Sequence, residues 1–527
     1  MNPYDLMSIP EASQWASEYQ KMKVTTSNIN YLIQYGRISK YWDNGSPKIS
    51  KEELRQYYHS SWGKREINWK AELGDDINWA LSFDTCKEAD TTKHVHRLHP
   101  YKGKFIPQLV EYFIDSHTDE FKKDVYFKPG DIILDPFCGS GTALVQANEL
   151  GIHAIGIDIS AFNALISNVK VETHPLVQVQ QEINKITKAL ILLISQTNAI
   201  KFDAKLTAEL NAFNQRYFPS ADFKSKVRKG LVNQEEYGAE KEKEFALRYH
   251  QLVREFLIQL EGERIDTFLD RWYLPQIRQE MALINNLIHN IQDENVKQMI
   301  QIILSRTVRT CRATTHADLA TLIEPVHSTY YCAKHGKVCK PLFTMLNWWK
   351  RYCDDTLQRL VTYNHLRTAT YQYCISGDAR KINILQEIKS TLPALGELLA
   401  QQKIRGIFSS PPYIGLIDYH EQHAYAYELF GFQRKDNCEI GAMAQGQGKE
   451  AKEAYVQSIA DVLKNNKKFL VEDYHILLVA NDKFNLYPSI VQRAGMRIVN
   501  QFRRPVLNRT EKDKSAYAES IFHIREA

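Results

Sequence analysis

No stretch of this 527-residue chain is apolar for the roughly 20 residues that crossing a bilayer requires. The longest apolar run, "ALILLISQ", is far too short and follows a lysine-bearing helical pattern. A secretory leader is not expected either, because "MNPYDLMSIPEASQW" is polar and mixed. Cysteine is sparse. Eight are scattered along the chain, which reads as reduced thiols in a bacterial cytoplasm rather than a disulfide framework. A strong charge of one sign is missing too. The formal net charge is +5 and the pI about 8.5, so nucleic acid is allowed as a partner but not demanded. There are no internal repeats and no low-complexity tract. The chain also lacks a G-x-x-x-x-G-K-[ST] loop and a G-x-S-x-G nucleophile elbow.

At roughly 150 residues per domain, the length predicts two to four units. Residues 1–60 read as a small helical unit. "SIPEASQWASEYQ" offers Ser8 as N-cap and an apolar face through Ala12, Trp15, Ala16 and Tyr19. A second helix over "TTSNINYLIQYGRI" ends at Gly36, and a third starts at Ser50, with Glu53 placed for a capping box. Short helices around a tight turn predict a helix-turn-helix. The stretch resembles the excisionase or MerR-like DNA-binding fold, and a helical packing module is the blander alternative. Residues 61–90 read as a tryptophan-bearing linker. Residues 91–173 alternate strand and helix, and so do residues 367–527. Residues 174–366 show apolar spacing near 3.6 and read as mostly helix. The expected fold class is therefore α/β, a Rossmann-like sheet split by a large helical insertion.

"DPFCGSGT", residues 135–142, lies between a predicted strand and a predicted helix. Gly139 and Gly141 allow positive φ and close approach of a ligand to the backbone. The helix N-terminus beyond them points N–H groups into the crevice at the strand ends. Asp158 closes the next strand, where a carboxylate can hold two ribose hydroxyls. Leu144 stands where a dinucleotide fingerprint needs its third glycine, and Asp135 would repel a phosphate but attract an ammonium. These residues favour S-adenosylmethionine over NAD or ATP.

The second motif is "IFSSPPY", an apolar run ending in two serines, two prolines and a tyrosine. Prolines fix φ and donate no hydrogen bond, so the chain leaves its strand as a stiff turn. Ser409 or Ser410 as a hydrolase nucleophile would need a base and an oxyanion hole, and the prolines remove donors. A structural turn is the other alternative. His420, Glu421 and His423 read as residues that orient the loop or face solvent.

"DPFCGSGT" and "SSPPY" together resemble the amino-methyltransferases of DNA, which methylate an exocyclic base nitrogen. The resemblance covers most of residues 91–173 and 367–527. "HPYKGKFIPQLV" is similar to their segment that closes over the methionine end of the cofactor, and "GDAR" to the loop whose acid binds the adenine. The resemblance implies S-adenosylmethionine as cofactor, held by Lys104, Phe105, Asp135, Phe137, Gly139, Gly141, Thr142, Asp158 and Asp378. It also implies a catalytic turn of Ser410, Pro411, Pro412 and Tyr413. Ser410 Oγ and the Pro411 carbonyl would accept the two amine protons of the base, and Tyr413 would stack on a flipped base. Serine at the first position leans toward cytosine N4, with adenine N6 next. Double-stranded DNA is the expected partner, a cognate restriction endonuclease a possible second, and residues 174–366 the expected target-recognition region. "DPFCGSGT" also resembles tRNA methyltransferases, which keeps an RNA guanine substrate open. A DNA-binding regulator that senses a nucleotide is a third reading, although a sensor has no need of the Pro-Pro-Tyr turn. Finally, "YYCAKHGKVC" brings Cys332, His335 and Cys339 close together. Structural zinc normally takes four ligands, so a tight basic loop with buried thiols and no metal is expected.

Overall fold

The computed structural model describes residues 5–21, 23–34, 37–43, 45–262, 266–316, 318, 322–507 and 515–527. The N-terminal unit runs from β1 (Leu6–Ser8) through helices Ile9–Gln20 and Thr26–Gln34 to the hairpin β2 (Tyr41–Asp43) and β3 (Ser46–Ser50). Helices Lys51–His59 and Ser61–Leu73 follow. The strands form an antiparallel sheet in the order β1-β3-β2. Ser8 and Glu11 form a reciprocal capping box, which fixes the start of the first helix. Ser50 caps its helix by accepting from the Glu53 N–H (3.3 Å), but the box does not close there. The Glu53 carboxylate accepts instead from the Ser39 N–H and the Tyr41 hydroxyl, stitching the hairpin to the helix. The Gly36 helix stop lies outside the described residues. Residues 61–90 are ordered by contact. Trp69 and Trp79 meet edge to face in the N-terminal core, and the Asn78 N–H donates to the Arg503 carbonyl on the main sheet (2.7 Å).

The main sheet has seven strands: β4 (Ile132–Asp135), β5 (His153–Asp158), β8 (Gln372–Ser376), β9 (Ile404–Ser409), β10 (Leu470–Ala480), β11 (Met496–Pro505) and β12 (Ala518–Glu526). Their spatial order is β11-β12-β10-β9-β4-β5-β8. The five from β10 to β8 are parallel, and β12 runs antiparallel between β10 and β11. Strand order reverses between β4 and β9, which opens a crevice at their carboxyl ends. Side chains alternate across the sheet. Ile133, Ala154 and Leu477 face one hydrophobic core, while Ile132, Leu134, Ile155 and Leu478 face the other. The architecture is α/β, with helices on both faces.

Between β5 and β8 the chain leaves the sheet. It forms helices Leu176–Ser195, Ala199–Tyr217, Ser220–Arg228, Gln234–Glu255, Phe268–Trp272, Pro275–His289, Glu294–Thr310 and Leu346–Asn364, with the hairpin β6 (Tyr330–Cys332) and β7 (Lys337–Cys339). The periodic run from 274 to 308 forms two helices, because Asp293 caps a fresh start at the Val296 N–H. These helices share the first of the two cores with the sheet: Ile183, Phe202 and Ile303 belong to the same buried cluster as Phe113 and Phe162. Among the described residues no helix is long and apolar enough to cross a membrane.

Candidate active site

The crevice at the strand ends is a partly open cleft enclosing about 810 Å³, solvent mouth included. The glycine turn forms its floor. Gly139 (φ +53°) and Gly141 (φ +75°) lie in the left-handed region. A Cβ on Gly141 would come within 3.0 Å of the Ser167 backbone, so that position is closed to larger residues. The turn is held from below: the fully buried Lys170 donates to the Ser140 carbonyl (2.5 Å) and the Ser167 hydroxyl to the Gly139 carbonyl (3.2 Å).

Asp135 is buried at the end of β4. One carboxylate oxygen accepts from the Ser409 hydroxyl (2.5 Å) and the Phe137 N–H (3.2 Å). The other, Oδ2, is buried without a partner. Burial pushes this carboxyl up to about 7, against the pull of the Ser409 hydrogen bond. Asp158 accepts from the Gly139 N–H (2.8 Å), the Ser160 N–H (2.9 Å) and Asn163 Nδ2 (3.1 Å), and burial raises it to about 6. Three more buried polar atoms beside the cleft have no partner among the described residues: Ser140 Oγ, Thr142 Oγ1 and Asn163 Oδ1. Buried polar groups are nearly always hydrogen-bonded, so this ring of orphans fits a polar ligand. Lys104 lines the cleft with its ammonium on the His96 carbonyl (2.9 Å), and burial lowers it to about 8. Phe105 packs edge to face on Phe408 of β9. Asp378 borders the cleft with its carboxylate clamped by the Arg380 guanidinium (2.8 Å to each oxygen).

The proline turn closes the other side. Ser409 is fully buried, and its hydroxyl is committed to Asp135. Ser410, the next residue, borders the cleft together with Pro412. The Tyr455 hydroxyl donates to the Pro412 carbonyl (3.0 Å), while the Pro411 carbonyl has no donor among the described residues. Tyr413 donates its hydroxyl to Glu519 (2.7 Å), and the other oxygen of Glu519 is held by Arg504 (3.0 and 3.1 Å). Burial first, and the Glu519 carboxylate second, push the Tyr413 phenol well above its ordinary value; the Ser410 hydroxyl beside it acts the other way.

The cleft thus collects Lys104, Phe105, Phe137, Gly139, Thr142, Asp158, Asp378, Ser410 and Pro412 along one wall or another. Asp135 and Gly141 lie just behind them, and Tyr413 is fixed from its far end. Tyr101, Asn163, Tyr419, Cys438 and Glu439 also line the cleft and were not foreseen from sequence. Tyr419 and Glu439 meet only in the fold, where the Glu439 carboxylate accepts from the Tyr419 N–H (3.2 Å) and the His420 N–H (2.7 Å). His420 and His423 are buried rather than solvent-facing. His420 bonds Glu439 through Nδ1, and both ring nitrogens of His423 lack partners, with burial lowering it to about 3. Cys332, His335 and Cys339 lie far from this cleft in sequence, on the β6–β7 hairpin.

Comparisons with known proteins bear on this cleft. A family described as "DNA methylase" matches residues 11–168, and one described as "RMKL-like, methyltransferase domain" matches residues 125–301. The type II methyltransferase M.MjaII of Methanocaldococcus jannaschii is 42% identical over 532 residues, covering 99% of this chain and 97% of that protein. The type II methyltransferase M.MvaI of Kocuria varians is 32% identical over 116 residues, 22% of each chain. A tRNA (guanine(10)-N2)-dimethyltransferase of Methanocaldococcus jannaschii is 33% identical over 81 residues, 15% of this chain and 23% of that protein.

Proposed function

This chain belongs to the type II methyltransferases and methylates DNA, and we propose that its acceptor is the exocyclic N4 amine of cytosine in double-stranded DNA. Adenine N6 is the second reading. The observation that carries the proposal is the serine at the head of the proline turn, at the cleft, next to a Pro411 carbonyl that has no donor among the described residues. An exocyclic base amine is a weak nucleophile because its lone pair is delocalised into the ring. Ser410 Oγ and the Pro411 carbonyl accept its two protons and favour a pyramidal nitrogen, with the acceptors pre-organised by proline. Tyr413 offers a ring face to a base turned out of the duplex. S-adenosylmethionine, once bound, supplies a methyl group already activated on a sulfonium. The residues that would hold it are Asp135, Ser140, Thr142, Asp158, Asn163 and Asp378, with Lys104 available to a carboxylate. Duplex DNA incubated with the protein and methyl-labelled cofactor, then digested to nucleosides, is expected to yield labelled N4-methylcytosine. Labelled N6-methyladenine would move the assignment to the second reading, and no labelled base on any duplex sequence would end it.

Around that chemistry we place the rest of the chain. Residues 1–60 serve as a helix-turn-helix that docks on the duplex. The β2 strand supports this, because Trp42 is 67% exposed with the Lys40 ammonium 4.4 Å over its ring, a pairing suited to a backbone contact. Residues 174–366 serve as the target-recognition region, and a cognate restriction endonuclease is the expected biological companion. The short match to a tRNA methyltransferase supports an RNA guanine substrate only weakly beside a relative that spans the whole chain.

Two expected results follow from the site. The first concerns Tyr413. Tyr413→Ala should weaken productive base binding by about 1–3 kcal/mol, the worth of one stacking ring, read as a rise in KM for DNA or a fall in single-turnover rate. Tyr413→Phe keeps the ring, loses the hydroxyl's contacts with Glu519 and Ser410, and should retain most activity. The second concerns pH. The Asp135 carboxyl, raised from 3.8 to about 7, keeps its proton in the folded, cofactor-free protein only below about pH 7. Its contribution to stability is therefore present at low pH and lost as pH rises through about 7. An ammonium ligand favours the ionised form, so cofactor affinity should rise with pH up to about 7 and level off above it. Calorimetric titration across that range checks the slope, and Asp135→Asn should flatten it.

A further inference from the structure

The hairpin β6–β7 has little to hold it from within. Each strand is three residues long, and a two-stranded ribbon of that size is marginal in water. Its own apolar cluster consists of Tyr330, Cys332 and Cys339, with Val326 at the edge. Asn214 clamps it to the helices by donating to the Val338 carbonyl (2.9 Å) and accepting from the Val338 N–H (3.0 Å), and Tyr331 lies over Gly238. None of these contacts explains two thiols and two imidazoles gathered on one side.

We propose that Cys332, His335, Cys339 and His316 form a closed structural zinc site. The register puts Tyr330 opposite Cys339 and Cys332 opposite Lys337, so both thiols point to the same face of the ribbon. Gly336, at φ +64°, donates its N–H to the Cys332 carbonyl (2.7 Å) and turns the chain tightly. That turn brings His335 Nδ1 to 3.5 Å from Cys339 Sγ. The fourth residue, His316, lies well upstream of Cys332, which is why the sequence motif shows only three. The Tyr330 hydroxyl fixes it, lying 2.8 Å from His316 Nδ1 and accepting the His316 N–H (3.2 Å). The His316 and His335 rings meet with centroids 4.4 Å apart. One ligand atom from each of the four residues lies within 4.8 Å of all the others. A tetrahedral zinc with bonds of about 2.0–2.3 Å separates its ligands by about 3.3–3.8 Å, so binding needs only a small contraction.

The donor set selects the metal. Two thiolates and two imidazoles suit zinc, whereas magnesium and calcium take oxygen. Both thiols lose their protons on binding, and two thiolates balance the ion's charge. Four protein ligands leave no open position, so the site is structural rather than catalytic. The ion would tie the segment that leaves helix Glu294–Thr310 to the hairpin on the outer helices. That helix carries Ser305, whose hydroxyl is 3.0 Å from His99 Nε2 in the segment leading to the cleft residue Tyr101, so the ion braces a helix that bonds to that segment.

Elemental analysis of the full-length protein, purified without chelator from zinc-supplemented cells, is expected to find about one zinc per chain. Exchange into cobalt(II) should give the intense visible bands of a tetrahedral site together with a thiolate charge-transfer band. Cys332→Ser, Cys339→Ser and His316→Ala should each lower the metal content severalfold, while Cys86→Ser, outside the cluster, should leave it unchanged. A wild-type chain that holds no zinc and gives no tetrahedral cobalt spectrum overturns the proposal without any variant having to fold. So does full zinc retention in the Cys332→Ser/Cys339→Ser double variant.

Discussion

Ser410→Ala is expected to lower the methyl-transfer rate constant by about 10²–10³-fold, the usual cost of removing one positioned hydrogen-bonding group from a reacting centre. Cofactor affinity should change little. The groups proposed to hold the cofactor are the orphaned atoms of Asp135, Ser140, Thr142 and Asn163, on the glycine-turn side of the cleft. Ser410 stands across from them at the end of β9. Fold stability should also be nearly unaffected, because Ser410 is only half-buried and the bond that anchors the strand end belongs to Ser409. The comparison variant is Ser409→Ala. It breaks the bond to Asp135 and leaves the buried carboxyl with only the Phe137 N–H as donor, a change worth about 1–3 kcal/mol of stability. The two serines should therefore separate cleanly. Position 410 governs turnover measured in a single-turnover experiment, and position 409 governs the denaturation midpoint and cofactor binding. Equal loss of cofactor binding and turnover at position 410 would remove it from the acceptor role.

The contrast between those neighbours shows what the sequence made legible. A stiff turn after an apolar strand follows from two prolines, and the glycine turn with its acid follows from spacing. Both landed at the same crevice because strands β4 and β9 are adjacent, although residues 136–403 separate them along the chain. The division of labour between Ser409 and Ser410 was legible only through strand pleat, which sends successive side chains in opposite directions. Asp158 was placed correctly at a strand end, yet its bonds to Gly139, Ser160 and Asn163 are products of the turn closing on it. The wall made by Tyr419, Cys438 and Glu439 left no local signal. It exists because Arg380 reaches from Asp378 to the Cys438 carbonyl (3.3 Å) and Glu439 gathers the backbone at 419 and 420. His316 was invisible for the same reason: nothing within the motif at 332–339 points to a histidine upstream.

Gly406→Ala should be the most damaging single-methyl substitution near the site, costing upward of about 4 kcal/mol and leaving little folded protein at ambient temperature. Gly406 is in the middle of β9, paired with β10 on one side and β4 on the other. The pairing with β10 shifts register between Leu470 and His475, and that irregularity presses the His475 backbone onto Gly406. A Cβ at this position would lie 2.0 Å from the His475 carbonyl oxygen and 3.0 Å from the Phe127 ring. Neither neighbour is free to give way: Phe127 is fully buried, and the obstruction at 475 is main chain in a central strand. The clash is steric, since the backbone here is not in the left-handed region. Urea unfolding against Gly448→Ala, where nothing lies within 4 Å of the added methyl, gives the scale. That control should shift stability by less than about 1 kcal/mol. Any Gly406→Ala protein that does fold must move β9 away from β10. Because β9 ends at Ser409 and leads directly into Ser410 and Pro411, such a shift should stretch the Ser409–Asp135 bond and misplace both acceptors. The expected signature is a protein that has lost stability, cofactor binding and turnover together, where Ser410→Ala loses turnover alone.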